Sequence, residues 1–256
     1  MAISDLQNPA IPQSASQSRL LEEARQRLIV ALDVPDTASA IGLLDRLDGA
    51  CHWFKVGLEL FIAAGPSILE PIHARGHSVF LDLKLHDIPN TVAGGVRSAA
   101  SFGVRMLTVH AAGGPAMLAA AQEALAGVAN PPRLLAVTVL TSMDAPQLGA
   151  TGIGRSPAEQ VSVLAGMALN AGMRGFVCSP HEAQMMRSLT GPESVLVIPG
   201  IRPAGAAIGD QKRLASPADA LRAGANYLVV GRPITHAANP AAAATGILRE
   251  MASALQ

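Results

Sequence analysis

The sequence predicts a single (β/α)8 TIM barrel, an α/β fold, because eight short apolar runs alternate with segments of helical period. The runs are continuously apolar rather than alternating, which is typical of parallel strands covered on both faces. No linker divides the 256 residues, a length that suits one barrel. The predicted strands span residues 28–33, 53–58, 78–85, 106–111, 133–140, 175–180, 194–201 and 227–232.

The segments between the strands have the periodicity and the start signals of helices. Ser156-Pro157 and Ser216-Pro217 look like pairs of an N-cap residue and a first-turn proline. The alternative fold, an open doubly wound sheet, needs a glycine-rich turn after its first strand, whereas Asp33-Val34-Pro35-Asp36 follows it here. The clearest predicted helices span residues 37–47, 60–75, 91–102 and 157–171.

Two stretches fall outside this regular alternation. Residues 1–26 form a polar N-terminal extension, with a brief helical pattern at 20–27, and residues 27–256 form the predicted barrel domain. Residues 141–155, in the longest interval between two strands, are predicted to form a mobile loop before the next helix.

The composition argues against several classes of partner. A net charge of +0 and an aromatic content of 3% are unlike a nucleic-acid-binding protein. The N-terminal region has no apolar run that suits a signal peptide or a membrane span. Cys51 and Cys178 lie far apart, as structural thiols in a reducing compartment do. The sequence therefore predicts a cytoplasmic protein that binds neither nucleic acid nor membranes.

Lysine is the most informative residue type, because only three of the 19 lysine and arginine residues are lysines. Lys55 and Lys84 lie inside apolar strand runs, where a lysine is costly to bury unless it is paired. Asp82 and Lys84 are two residues apart on one strand, so both side chains face the barrel interior near its carboxyl end. That end holds the active site in this fold.

Asp33, Lys55 and Asp87 extend this pair into a predicted array of alternating charge. The carboxylates favour the ammonium form of the lysines, and an ammonium group can act as a general acid. A purely structural network of ion pairs is the alternative. Buried ion pairs stabilise folds poorly, so a cluster of five charges favours a catalytic role.

A second group of residues indicates a phosphate site. In barrels of this kind the loops after strands seven and eight often bind phosphate through backbone N–H groups. Gly231 allows close approach of the backbone, and Arg232 can pair with phosphate oxygens. Arg202 and Gln211 are further donors on the preceding loop, although an ordinary charged loop would have the same composition.

Other candidates are weaker. His110 ends the predicted fourth strand and either lines the cavity or is a hydrogen-bonded core histidine. Glu59 follows the second strand and could hold a metal only if Asp82 turned from its lysine partner. The sequence contains no Walker loop, nucleophile elbow or zinc signature.

Six segments in the predicted active-site loops and strand ends resemble the signature of the orotidine 5′-phosphate decarboxylase family. The most specific is residues 80–92, FLDLKLHDIPNTV. The resemblance runs from about residue 27 to the C-terminus and implies a barrel of the ribulose-phosphate-binding type. The other segments are Leu32-Asp33, residues 55–58 (KVGL), 140–142 (LTS), 199–203 (PGIRP) and 230–234 (VGRPI).

The resemblance also implies a set of residue roles and an activity that needs no metal ion and no organic cofactor. The reaction would convert orotidine 5′-phosphate to UMP and CO2, the last step of de novo UMP biosynthesis, with Lys84 as proton donor to C6. Asp82 would lie beside the departing carboxylate, and Lys55 and Asp33 would hold the ribose. Thr141 and Ser142 would lie near the base.

The family resemblance further implies a homodimer with shared active sites. Asp87 and Thr91 would then reach into the neighbouring subunit's site. The phosphate would be held by Arg202, Gln211, Gly231 and Arg232, and the loop at 202–213 would close on it.

Three alternatives remain open at this point. One is a Mg²⁺-dependent decarboxylase or aldolase of the same barrel superfamily that acts on a keto-sugar phosphate. Another is a Schiff-base aldolase that uses Lys55 or Lys84, although flanking carboxylates favour the ammonium form over the nucleophilic amine. The third is a non-catalytic sensor of a phosphorylated ligand, but each residue of the predicted array is present.

Overall fold

The computed structural model describes residues 13–47, 49–203 and 214–256. They form a closed barrel in which eight parallel strands pair in chain order and β8 pairs with β1. The predicted (β/α)8 fold is therefore confirmed. The strands are β1 Leu28–Ala31, β2 Trp53–Gly57, β3 Ser78–Leu85, β4 Met106–His110, β5 Arg133–Val137, β6 Gly175–Val177, β7 Val195–Ile198 and β8 Tyr227–Val230.

Helices connect the strands and cover the outside of the barrel. The Ser156 and Ser216 side chains accept hydrogen bonds from the N–H groups of Glu159 and Asp219, which confirms both predicted N-caps. The helices are α1 Gln13–Arg27, α2 Thr37–Arg46, α3 Leu58–Ala64, α4 Leu69–Ala74, α5 Pro89–Ser101, α6 Gly114–Glu123, α7 Ala145–Ala150, α8 Pro157–Asn170, α9 Ala183–Thr190, α10 Pro217–Arg222, α11 Arg232–Thr235 and α12 Pro240–Ala254.

The apolar side chains form two layers. The inner layer fills the barrel with side chains such as Ile29, Trp53, Phe80 and Val197. The outer layer lies between strands and helices, and it contains Leu81 with Leu83 and Leu85 packed against it. These three leucines therefore face the helices, away from the barrel interior. The inner apolar layer lies inside the barrel, and the cavity that contains Lys55, Asp82 and Lys84 opens above it at the carboxyl ends of the strands.

The predicted strands begin almost where the observed strands begin, but several end too late. The predictions overran β5, β6 and β7 by three residues each. The apolar run continues there because residues such as Val139, Cys178 and Pro199 leave the sheet and line the cavity above it. Burial therefore persists after the backbone pairing has ended.

Three helical segments differ from the predictions. The helix predicted at 60–75 is divided into α3, a 3-10 turn at Gly65–Ile68 and α4, because Gly65 has φ +65° and Pro66 follows it. The predicted loop at 141–155 contains α7, which a capping box at Asp144 initiates. Helix α1 extends the brief helix predicted near the N-terminus back to Gln13 and packs against α12.

Candidate active site

A cavity of about 430 Å³ opens at the carboxyl ends of the strands. This size suits a small-molecule ligand. The cavity wall contains the charged residues predicted from the first three strands together with those predicted from the last two βα loops. The predicted site residues that line it are Asp33, Lys55, Asp82, Lys84, Thr141, Arg202, Gly231 and Arg232.

Four charged side chains form a continuous chain of ion pairs across this wall. Lys55 Nζ lies 2.7 Å from Asp33 Oδ1 and 3.6 Å from Asp82 Oδ2. Lys84 Nζ donates to both oxygens of Asp82 at 2.9 Å. The inner members, Lys55 and Asp82, have side chains only 11% and 12% exposed, whereas Lys84 is 31% exposed. The Lys84 ammonium group is therefore more accessible to a ligand in the cavity than that of Lys55.

Asp82 is the centre of this arrangement. Burial raises the pKa of its carboxyl, but the charges of Lys55 and Lys84 and the hydrogen bonds from Lys84 and Thr108 outweigh it. The net effect is a pKa below the ordinary value, so Asp82 is an anion at neutral pH. A second anionic group placed beside it would be repelled, and an ammonium group beside it is held in place.

Strand β3 is irregular where it presents these residues. Its register with β4 shifts between Leu81 and Leu85, and Lys84 is the one non-glycine residue of the described chain with positive φ, at +50°. The Lys84 amide donates to Thr108 Oγ1 at 2.8 Å instead of continuing a regular ladder. Regular strand alternation predicted that Asp82 and Lys84 lie on the same side of the strand. Their side chains do meet, but a bulge and not regular alternation brings them together.

Gly57, at the end of β2, leaves room for the first ion pair. A Cβ atom at this position would lie 2.8 Å from Lys55 Nζ and 3.3 Å from Asp33 Oδ1. Any larger residue would therefore displace the ammonium group or its partner. The sequence analysis did not single out Gly57, although its position two residues after Lys55 is a readable signal.

The last two βα loops contribute two guanidinium groups to the cavity wall, those of Arg202 and Arg232. Burial first, and then repulsion from Arg232, lower the pKa of Arg202 below its ordinary value. Two cations that repel each other across a cavity favour an anion between them. Gly231 lines the cavity between Ala31 and Asp33, and a Cβ atom there would meet both only at ordinary contact distances.

Several predicted residues are not part of this cavity in the single chain. Asp87, Thr91 and Ser142 are exposed and do not line it. The Asp87 side chain instead accepts a hydrogen bond of 2.6 Å from the Ile88 amide. Gln211, and the segment 204–213 of the predicted phosphate loop, lie outside the described residues.

The cavity also contains residues that the sequence analysis did not select. Thr235 and His236 lie beside Arg232, and the polar run after β8 could have indicated them. An apolar wall is formed by side chains that were assigned only to the core. They are Val137, Val139, Leu140, Val177 and Cys178.

The remaining candidates are placed as follows. His110 is half-buried, and its ring stacks against His86 with centroids 5.3 Å apart, so it does not line the cavity. Burial, and then the charges of His86 and Lys84, lower the pKa of His110. Within residues 13–47, 49–203 and 214–256, no three His, Cys, Asp or Glu side chains are grouped as metal ligands. None of the helices in these ranges has the length and apolar character to cross a membrane.

A closed parallel barrel with an ionisable array at its carboxyl end defines a TIM-barrel enzyme. The chain belongs to the orotidine 5′-phosphate decarboxylase / HUMPS family, whose family model matches residues 26–247. The resemblance stated from the sequence is therefore confirmed.

Curated relatives and solved structures agree with this family. The chain is 54% identical to an orotidine 5′-phosphate decarboxylase from Halorhodospira halophila, covering 89% of this chain and 97% of the relative. It is 52% identical to one from Moorella thermoacetica, covering 92% and 96%. The crystal structure of orotidine 5′-phosphate decarboxylase from Lactobacillus acidophilus is similar with a TM-score of 0.78 and 39% identity, covering 88% of this chain and 98% of that one.

Proposed function

We propose that this protein decarboxylates orotidine 5′-phosphate to UMP and CO2, without a metal ion or an organic cofactor. The observation that supports the proposal most directly is the chain of four charges from Asp33 to Lys84, in the same cavity as two arginines. The family model covers both orotidine 5′-phosphate decarboxylases and the HUMPS group. The relatives that are 54% and 52% identical to this chain are both named orotidine 5′-phosphate decarboxylase.

Lys84 is the proton donor in this proposal. The bond between C6 of the pyrimidine and its carboxylate breaks, CO2 leaves, and the electron pair remains at C6. The Lys84 ammonium group stabilises this developing charge and transfers a proton to C6, which gives UMP. Its 31% side-chain exposure on the cavity wall suits this role, because the donor must contact the substrate.

The other members of the array prepare this step. Asp82 lies beside the substrate carboxylate and holds Lys84 by two hydrogen bonds of 2.9 Å. Lys55 and Asp33, themselves paired at 2.7 Å, bind the ribose hydroxyls. Thr141 lines the cavity and lies near the base, and Ser142 follows it at the cavity edge. The apolar wall reduces solvation of the reacting carboxylate.

The phosphate group binds where the loops after β7 and β8 line the cavity. Arg202 and Arg232 pair with its oxygens, the backbone at Gly231 approaches it closely, and Gln211 contributes from the following loop. Because the phosphate lies away from the reacting carbon, its binding energy can drive loop closure around the substrate.

We also propose that the enzyme is a cytoplasmic homodimer with shared active sites. Asp87 and Thr91 are exposed at the carboxyl end of the barrel and do not line their own cavity. Large apolar side chains are exposed nearby, where Leu58 and Ile62 follow β2 and Ile88 follows β3. Their exposed fractions are 50%, 78% and 67%. Such exposure favours burial against a second copy, whose cavity would receive Asp87 and Thr91.

The test is a decarboxylation assay with purified protein, in which the loss of orotidine 5′-phosphate absorbance is followed in buffer containing EDTA. We expect full turnover and stoichiometric UMP. No consumption of orotidine 5′-phosphate under any condition would contradict the proposal. If orotidine 5′-phosphate is not consumed but a keto-sugar phosphate is, in a reaction that stops in EDTA and returns with Mg²⁺, the metal-dependent alternative is favoured instead.

A further inference from the structure

We propose that Thr108 is a positioning residue for the proton donor, because its hydroxyl group fixes both the Lys84 backbone and the Asp82 carboxylate. The inference rests on the proposed function, since it assigns a role in delivering the Lys84 proton. Thr108 does not line the cavity, so it acts through its neighbours rather than on the substrate.

The hydrogen bonds of Thr108 join the two residues at different points. Thr108 is fully buried on β4. Its hydroxyl accepts from the Lys84 amide at 2.8 Å and donates its single proton to Asp82 Oδ1 at 2.9 Å. Asp82 in turn accepts from Lys84 Nζ at 2.9 Å. The hydroxyl, the carboxylate and the lysine therefore form a closed ring of contacts.

The register of the two strands explains why a hydroxyl is needed there. Leu81 pairs with Leu107 and Leu85 pairs with Val109, so residues 82–84 of β3 lie opposite Thr108 alone. The bulge removes the Lys84 amide from the regular ladder, and φ at Lys84 is +50°. A buried amide without an acceptor is strongly disfavoured, and the Thr108 oxygen is the acceptor that the fold provides.

The same hydroxyl also acts on the charge of Asp82. The carboxylate faces Lys55 from β2, Lys84 from β3 and, at longer range, His110 from β4. The Thr108 hydrogen bond is among the contacts that lower the pKa of Asp82 against the opposing effect of burial. Without the hydroxyl, Asp82 would take up a proton at higher pH and would hold the Lys84 ammonium group less firmly.

The experiment compares Thr108→Val, which removes the hydroxyl at nearly constant shape, with Thr108→Ser, which keeps it. For Thr108→Val we expect kcat to fall by about 10- to 100-fold, because the proton donor is displaced. KM should change little, because the residues that bind the phosphate are untouched. The acid limb of the pH profile of kcat should move to higher pH. Thr108→Ser should restore kcat and the acid limb of its pH profile to near those of the unchanged protein.

Thr138→Val is the matched control. Thr138 is another buried threonine on the neighbouring strand end, and its hydroxyl donates to the Val177 carbonyl at 3.0 Å. It contacts none of the array, so its variant should lose thermal stability without a shift of the pH profile. If Thr108→Val does not fold, Thr108→Cys replaces it, because a thiol is a weak hydrogen-bonding group, and a smaller shift in the same direction is expected.

Two results would overturn the inference alone: an active unchanged protein whose Thr108→Val variant keeps its kcat and pH profile, or one whose variant loses only stability, as Thr138→Val does. An unchanged protein that does not consume orotidine 5′-phosphate would overturn the proposed function together with the inference.

Discussion

Replacement of Lys84 by glycine or by alanine separates the chemical role of its ammonium group from the strain in its backbone. The backbone at this position has φ +50°, which L-residues adopt at a cost of about 1 to 2 kcal/mol and glycine adopts freely. Glycine also loses more chain entropy on folding, by about 0.5 to 1 kcal/mol. We therefore expect Lys84→Gly to be more stable than Lys84→Ala by about 0.5 to 1 kcal/mol, or about 2 °C in Tm.

Both variants should lose turnover to the same large extent. Proton transfer by a positioned acid contributes about 10²- to 10⁴-fold, and stabilisation of developing charge about 10²- to 10³-fold. The expected loss in kcat is at least about 10⁴-fold, which corresponds to about 5 kcal/mol or more in the activation barrier. Asp82 still has Lys55 at 3.6 Å and the Thr108 hydroxyl at 2.9 Å, so the variants should remain folded.

The assay combines single-turnover kinetics on orotidine 5′-phosphate with calorimetric binding of UMP. UMP binding should remain measurable, because the phosphate contacts lie across the cavity from Lys84. Arg249→Ala, which removes an exposed cation on α12, controls for the change in net charge and should keep full turnover. Turnover of either Lys84 variant within about tenfold of the unchanged protein would refute its role as proton donor.

Three further predictions test other parts of the site. Arg232→Ala should weaken UMP binding by about 10- to 100-fold and leave uridine binding unchanged; equal losses for both would contradict the phosphate assignment. Ile88→Asp should give monomers with little turnover in sedimentation and kinetic assays, whereas the control Leu189→Asp should stay dimeric; a dimeric Ile88→Asp protein would exclude this surface. The folded pKa of Asp82 lies below its ordinary value, so its ionised form stabilises the fold above that value and the contribution is lost as pH falls through the folded pKa. Between about pH 5 and about pH 2, the free energy of unfolding of Asp82→Asn, measured by denaturant titration, should accordingly fall less than that of the unchanged protein. Equal falls in the two proteins would contradict a lowered pKa of Asp82.

The barrel and the main members of the array could be predicted from the sequence because each has a local signal. Continuous apolar runs mark parallel strands, and lysines within such runs stand out because so few lysines occur. The late strand ends were mispredicted for the same reason that the strands were found. Residues such as Val139 and Cys178 are apolar because they line the cavity, and composition does not distinguish that burial from burial in the sheet.

The bulge at Lys84 could not be predicted, because its cause lies on another strand. A positive φ usually coincides with glycine or asparagine in the sequence, and a lysine gives no such signal. The conformation is held by the register between β3 and β4 and by the Thr108 hydroxyl, both of which are tertiary features. Thr108 itself looks like an ordinary β-branched strand residue, so only the folded structure distinguishes it from Thr138.

The distribution of exposure along the array explains how one chain of charges can both survive burial and react. The inner pair, Lys55 and Asp82, is almost fully covered, and desolvation of such a pair generally costs about as much as its attraction returns. The two outer members, Asp33 at 58% and Lys84 at 31% exposure, border the cavity and keep part of their hydration. A substrate that enters removes water mainly from these outer groups, which then interact with it in a poorly screened environment. In the proposed mechanism the buried centre fixes geometry, and the Lys84 end has the freedom to give up its proton.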